Sequence, residues 1–177
     1  MTFRKADAGF SLIDMIFVCG MIGILATIAV PRLLMAKNSA SAASAIATMR
    51  TISTAQLSYA ISCGNGFYAP DLPSLAKPPI ASITGFVPYD LGSALIVTKS
   101  GFTINMEGLA VAGAPDTCNA LGVDTAARSY RAGADPIDPA IGRYFATNAL
   151  SVIYEDDATL YAAMPESATP AAGHPIR

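Results

Sequence analysis

Charge is what this sequence has least of. Only 14% of its 177 residues are Asp, Glu, Lys or Arg, 53% are hydrophobic, and the mean hydropathy is +0.45. A chain this apolar buries too much surface to remain disordered. Its pI of about 5.2 provides no basic field for phosphates, so no nucleic-acid binding is evident. Histidine is reduced to His174, in a Pro/Ala-rich tail where a solvated side chain is expected. No G-x-S-x-G, phosphate-loop, H-E-x-x-H or C-x-x-C arrangement occurs. The chain therefore reads as a non-enzyme with no cofactor. Glycine is missing between Gly23 and Gly64, and proline between Pro31 and Pro70. That stretch, rich in Ala, Leu, Ile and Met, predicts a long helix. The length suits one modest domain with an appendage, and there is no internal repeat.

What charge there is falls unevenly. Residues 1–9 carry +1 (Arg4, Lys5, Asp7), and residues 10–62 carry +2 (Arg32, Lys37 and Arg50 against Asp14). Residues 63–177 hold six bases and eleven acids, hence −5, together with eleven of the twelve prolines. A short leader, a nearly uncharged stem and an acidic, loop-rich head result.

Residues 10–30, FSLIDMIFVCGMIGILATIAV, would span about 31 Å as a helix, against roughly 30 Å for a bilayer core. An ordinary membrane anchor or a secretory signal peptide would read this way. Small-residue cleavage sites do exist in Ser39–Ala47. Asp14 argues against both. A carboxylate at the centre of a membrane costs on the order of 2.5–3.5 kcal/mol, and such a residue needs a partner. Pro31 removes the N–H that the carbonyl of Thr27 would accept from, and Gly20 and Gly23 lower helix propensity upstream.

Gly9-Phe10-Ser11-Leu12-Ile13-Asp14-Met15, behind a basic leader and ahead of Pro31, resembles the class III signal of type IV pilins and type II secretion pseudopilins. The resemblance implies that a prepilin peptidase cuts between Gly9 and Phe10 and methylates the new amine of Phe10. Asp14 would then be the fifth residue of the mature chain, where the family usually carries glutamate. Phe10 and Asp14, four apart, share a helix face. In a filament the amine of one subunit could meet Asp14 of a neighbour, satisfying both charges where water is scarce. The family often unwinds its helix between the positions of Gly23 and Pro31; a simple proline kink is the alternative. The implied organisation is a leader (1–9), an apolar transmembrane and filament-core helix (10–31), an amphipathic helix (32–62) and a β-sheet head with loops (63–177). The fold class expected is α+β: a long N-terminal helix, its apolar half protruding, its second half packed on a small antiparallel sheet.

Within the second helical part, Ile46, Met49, Ile52 and Tyr59, with Ala45 and Ala55, form an apolar stripe suited to covering a sheet. Ala36 to Thr48 holds six alanines and three serines, a surface that allows close backbone approach. In the head, Ala94–Thr98, a Lys99-Ser100-Gly101 turn and Phe102–Met106 read as a hairpin. Arg128–Arg131, Arg143–Thr147 and Ser151–Tyr154 read as further strands, giving a sheet of about four. The phrases TISTAQLSYA, YAPDLPSLA and TKSGF also resemble pilin-type heads of environmental bacteria.

Cys19, in the apolar segment, reads as a small buried hydrophobe. Cys63 and Cys118 lie in the head, which the resemblance places on the envelope side of the membrane, where disulfides persist. Their pairing would close about 55 residues and contribute on the order of 4 kcal/mol in the chain-entropy model; two free thiols are the alternative. Asp135 and Asp138, and the run Glu155-Asp156-Asp157, could offer oxygens to calcium, as major pseudopilins do. Neither run follows a recognised loop pattern, so no metal site is assigned.

The functional expectation is a structural subunit of a type IV pilus or related extracellular filament. Its partners would be copies of itself in a helical homopolymer, the prepilin peptidase and the inner-membrane assembly machinery. It would lie in the inner membrane before assembly and at the cell surface afterwards. A pseudopilin of a type II secretion system, in a periplasmic filament, is the first alternative. A membrane-anchored envelope protein that binds a ligand and never polymerises is the second.

Overall fold

A computed structural model describes residues 11–80 and 82–176. It has an α+β layout: a long apolar N-terminal helix followed by a small antiparallel sheet. The helix, α1, runs from Leu12 to Ser62 without interruption, with Pro31 inside it. Two short helices follow, α2 (Leu72–Ala76) and α3 (Tyr89–Gly92). Six strands complete the fold: β1 (Ile96–Lys99), β2 (Phe102–Glu107), β3 (Arg131–Pro136), β4 (Tyr144–Asn148), β5 (Ile153–Asp156) and β6 (His174–Pro175). By compactness the chain divides into two units, Met1–Ser39 and Ala40–Arg177.

The sheet is a meander. Its spatial order is its chain order, β1 to β6, and every pairing is antiparallel. Ser100 and Gly101 join β1 to β2 with φ of 51° and 83°, the two left-handed residues that a two-residue hairpin requires. Asn148 shapes the β4–β5 turn, its Oδ1 accepting from the N–H of Leu150 at 3.0 Å.

In the second unit one sheet face meets the helix. Ala45, Met49, Ile52, Ala55 and Tyr59 of α1 are buried against Ile104, Ala132, Ala134 and Phe145 of the sheet, with Ile46 partly buried beside them. This is the expected apolar stripe. Gln56 is an unexpected member. It is fully buried, and its amide donates to the carbonyl of Ala69 (2.8 Å) while its Oε1 accepts from the Ala69 N–H (2.9 Å). Both polar atoms are thereby satisfied, and the chain leaving α1 is pinned to it.

The other sheet face is covered by the segment between β5 and β6. Leu160 and Met164 pack on Ala146 and Tyr154. Tyr161 lies over Gly133, where a Cβ would come within 2.7 Å of the Tyr161 Cβ, so only glycine leaves room. The Arg131 guanidinium sits 5.4 Å from the Tyr161 ring centre, pairs with Glu107 and donates to the carbonyls of Ala162 and Met164. Asn148 donates to the carbonyls of Pro165 and Ala168, both at 2.7 Å.

Three expectations change. The strand placed at Arg128–Arg131 begins where that range ends, and β3 instead uses RAGADP. The sheet has six strands rather than about four: each of the five segments read as strands contributes one, and His174–Pro175 adds a short edge beside β5. Cys19 is exposed rather than buried, since no described residue of the chain covers that stretch of α1.

Candidate functional site

Two places gather the residues singled out from the sequence: the apolar part of α1 and the disulfide junction. In the first unit α1 exposes large apolar side chains all round, Leu12, Phe17, Ile24, Leu25 and Leu33 each at least 66% accessible. By length and composition this helix can cross a membrane, which makes membrane anchoring compatible with the fold. A helix that is apolar all round has its solvent in lipid or in other helices, not in water.

Asp14 stands in the first turn of α1 and is exposed; its N–H donates to the Ser11 carbonyl at 3.1 Å. The helix dipole favours a carboxylate at that end. Gly9 and Phe10, the expected processing site, lie outside the described residues. Gly23 and Pro31, the bounds of the stretch expected to unwind or to kink, are both helical in the single chain. Thr27, whose carbonyl faces the missing Pro31 donor, turns its own hydroxyl to the Ile24 carbonyl at 2.7 Å.

The second place is the exit of α1. Cys63 and Cys118 form a disulfide with Cα atoms 4.8 Å apart, and the Cys118 N–H donates to the Cys63 carbonyl. Gly64 allows the tight exit, since a Cβ there would sit 2.8 Å from Tyr59 Cε1 and collide with the Phe67 carbonyl. Next to the disulfide is a hub that sequence reasoning missed. Asn119, almost fully buried, accepts at Oδ1 from Thr117 (2.7 Å) and Tyr59 (3.3 Å) and donates to the carbonyls of Ser74 and Lys77. It joins α1, α2 and the 111–126 loop through one side chain. Burial is the main cause raising the Tyr59 pKa, with Asp116 adding to it and the hydrogen bond to Thr117 opposing. An asparagine in a loop carries no periodicity, so only the neighbouring cysteine could have pointed here.

The acids considered for calcium are dispersed and engaged. Asp135 accepts from Thr159 at 2.7 Å, and Asp138 caps the turn at Pro139–Ile141 through the Ala140 N–H. Glu155 pairs with Arg143, and Asp156 accepts from the Asp157 N–H. Among the described residues no group of three or more His, Cys, Asp or Glu side chains converges on a point where an ion could sit.

No protein-family model, curated protein or solved structure matches this chain.

Proposed function

We propose that the chain is a structural subunit, a pilin, of a type IV pilus or related extracellular filament, and that it is not a catalyst. The observation that carries this reading is α1 itself. One helix holds an exposed, largely apolar first part whose one acid is Asp14, and a second part whose apolar stripe is consumed by a folded sheet. The first part needs a cover, and lipid before assembly and neighbouring copies after it both provide one. The resemblance of GFSLIDM to a prepilin signal supplies the route: cleavage after Gly9, methylation at Phe10, and burial of the new amine beside Asp14 of a neighbour. A type II secretion pseudopilin would share every one of these steps. A non-polymerising envelope binder would share only the anchor.

Electron microscopy of surface filaments, with peptide identification and N-terminal mass analysis, tests the reading. Filaments built of chains starting at a methylated Phe10 are expected. Absence of filaments, retention of residues 1–9, or a start near Ala40 would overturn it. Asp14→Ala should leave processing largely intact and reduce filament yield, since breaking a buried charge pair costs about 3–5 kcal/mol. Asp14→Glu should be tolerated.

A further inference from the structure

Asp14 and Arg32 are eighteen residues apart within the uninterrupted helix α1. Helix geometry makes that about five whole turns and roughly 27 Å, so both side chains leave the same face. Between them that face carries Val18, Met21, Leu25 and Ile28, which are 42%, 49%, 67% and 57% exposed. It is thus an apolar strip with one acid at its lower end and one base at its upper end. Both charged side chains are exposed, and among the described residues neither has an ion-pair partner. Lys37, the other base described in this unit, lies about 140° further round the helix.

Two copies of such a strip can meet in few ways. Side by side in register, Asp14 would face Asp14 and Arg32 would face Arg32, a like-charge arrangement that repels. Antiparallel copies would pair the charges twice, but identical chains insert the same way round. What remains is a parallel pair with one copy slid along its axis by about 27 Å, which brings Asp14 of one level with Arg32 of the other. The same slide sets Val18 and Met21 of the first copy against Ala36 and Ser39 of the second, large side chains against small ones. Small residues are what let helix backbones approach closely.

We propose, on the filament reading above, that the partner of this face is a second copy of the chain displaced by eighteen residues, with Asp14 of one subunit paired to Arg32 of the next. A carboxylate accepts at two oxygens, so this pair and the one with a neighbour's amine are compatible. The contact is head-to-tail: each copy offers its Asp14 in one direction and its Arg32 in the other. Heterologous contacts of that kind do not close on themselves and generate open helical filaments. In lipid, copies held at one depth keep Asp14 and Arg32 apart; the pair forms only once one copy has moved outward.

Filament yield and cross-linking together test the register, with the wild type scored first. Arg32→Ala should lower the yield of sheared filaments by roughly tenfold or more while processed subunit remains in the membrane. Arg32→Lys should restore much of that yield, and Lys37→Ala should leave it unchanged. In a Cys19→Ser background, Val18→Cys combined with Ala36→Cys should give a ladder of cross-linked multimers in filaments. Val18→Cys with Leu34→Cys, on opposite faces, should not. Normal yield from Arg32→Ala, or no ladder from the 18/36 pair in a chain that does form filaments, overturns the register and leaves the filament reading standing. A wild type without filaments overturns both.

Discussion

Residues 12–39 and residues 40–62 belong to one helix, and both are rich in Ala, Leu, Ile and Met, yet they dispose of their apolar surface in opposite ways. In the first stretch Met21 is 49% exposed; in the second Met49 is fully buried between helix and sheet. The same residue type stands at both positions, so apolar content does not set the outcome. Pattern does. Met49 belongs to a stripe at helical spacing with mostly small or polar residues on the remaining faces, and a stripe is answered by one sheet. Met21 belongs to a surface without a polar side, which no single sheet could cover.

The largest effect that would sharpen this contrast comes from the disulfide, which serves only the second unit. Cys63→Ser combined with Cys118→Ser should lower the unfolding free energy by about 4 kcal/mol. The protein in detergent, followed by denaturant unfolding of the sheet signal, would show this, and membrane partition should not change. A direct comparison of the two methionines comes next. Met49→Ala should cost about 2–5 kcal/mol of the same unfolding free energy, as buried large-to-small changes do. Met21→Ala should leave it within about 0.5 kcal/mol, the range of exposed sites. Equal effects of the two would break the distinction drawn between the stretches.

The smallest effect is electrostatic and again confined to the second unit. The Arg131 and Arg143 guanidinium groups hold Glu107 and Glu155, respectively, below the ordinary carboxylate value of 4.5. A carboxylate depressed in the folded state adds stability that is fully present above its unfolded pKa and is lost as pH falls through the folded one. Stability of the sheet should therefore be level above about 4.5 and decline below it. Both pairs are partly exposed, so the loss should be no more than about 1 kcal/mol each. Replacing Glu107 and Glu155 with Gln should flatten the decline; an unchanged pH profile in that variant would remove the two pairs as its cause.

Legibility followed the same division. The long helix could be read from the missing Gly and Pro, and its buried stripe from the spacing of Met49, Ile52 and Tyr59, because both signals are local. The hairpin at Lys99-Ser100-Gly101-Phe102 was readable from its turn residues. β3 was not. RSYR has the look of a strand, whereas RAGADP contains Gly, Ala, Asp and Pro, all poor strand formers. Its strand state depends on what lies across it: Gly133 is there to admit Tyr161, twenty-eight positions later. Gln56 and Asn119 were missed for a related reason. Their partners are backbone groups of distant segments, and a sequence does not announce which carbonyl a buried amide will meet. At the candidate assembly surface the residue types were plain, but eighteen-residue phasing of Asp14 and Arg32 acquires meaning only in an unbroken helix.

The covering of the sheet's far side also imposes an order in time. Each strand pairs with the one before it, so the meander can grow strand by strand as the chain becomes available. Ala146, Tyr154 and the bare patch at Gly133 nevertheless wait for Leu160, Tyr161 and Met164, which come after the fifth strand. Until those residues arrive, a nascent sheet with one face closed shows its neighbours an open apolar one, the state in which crowded chains stick to each other. The chain thus has its most vulnerable moment just before its last loop settles, and Arg131, Asn148 and Tyr161 act as the latch that ends it.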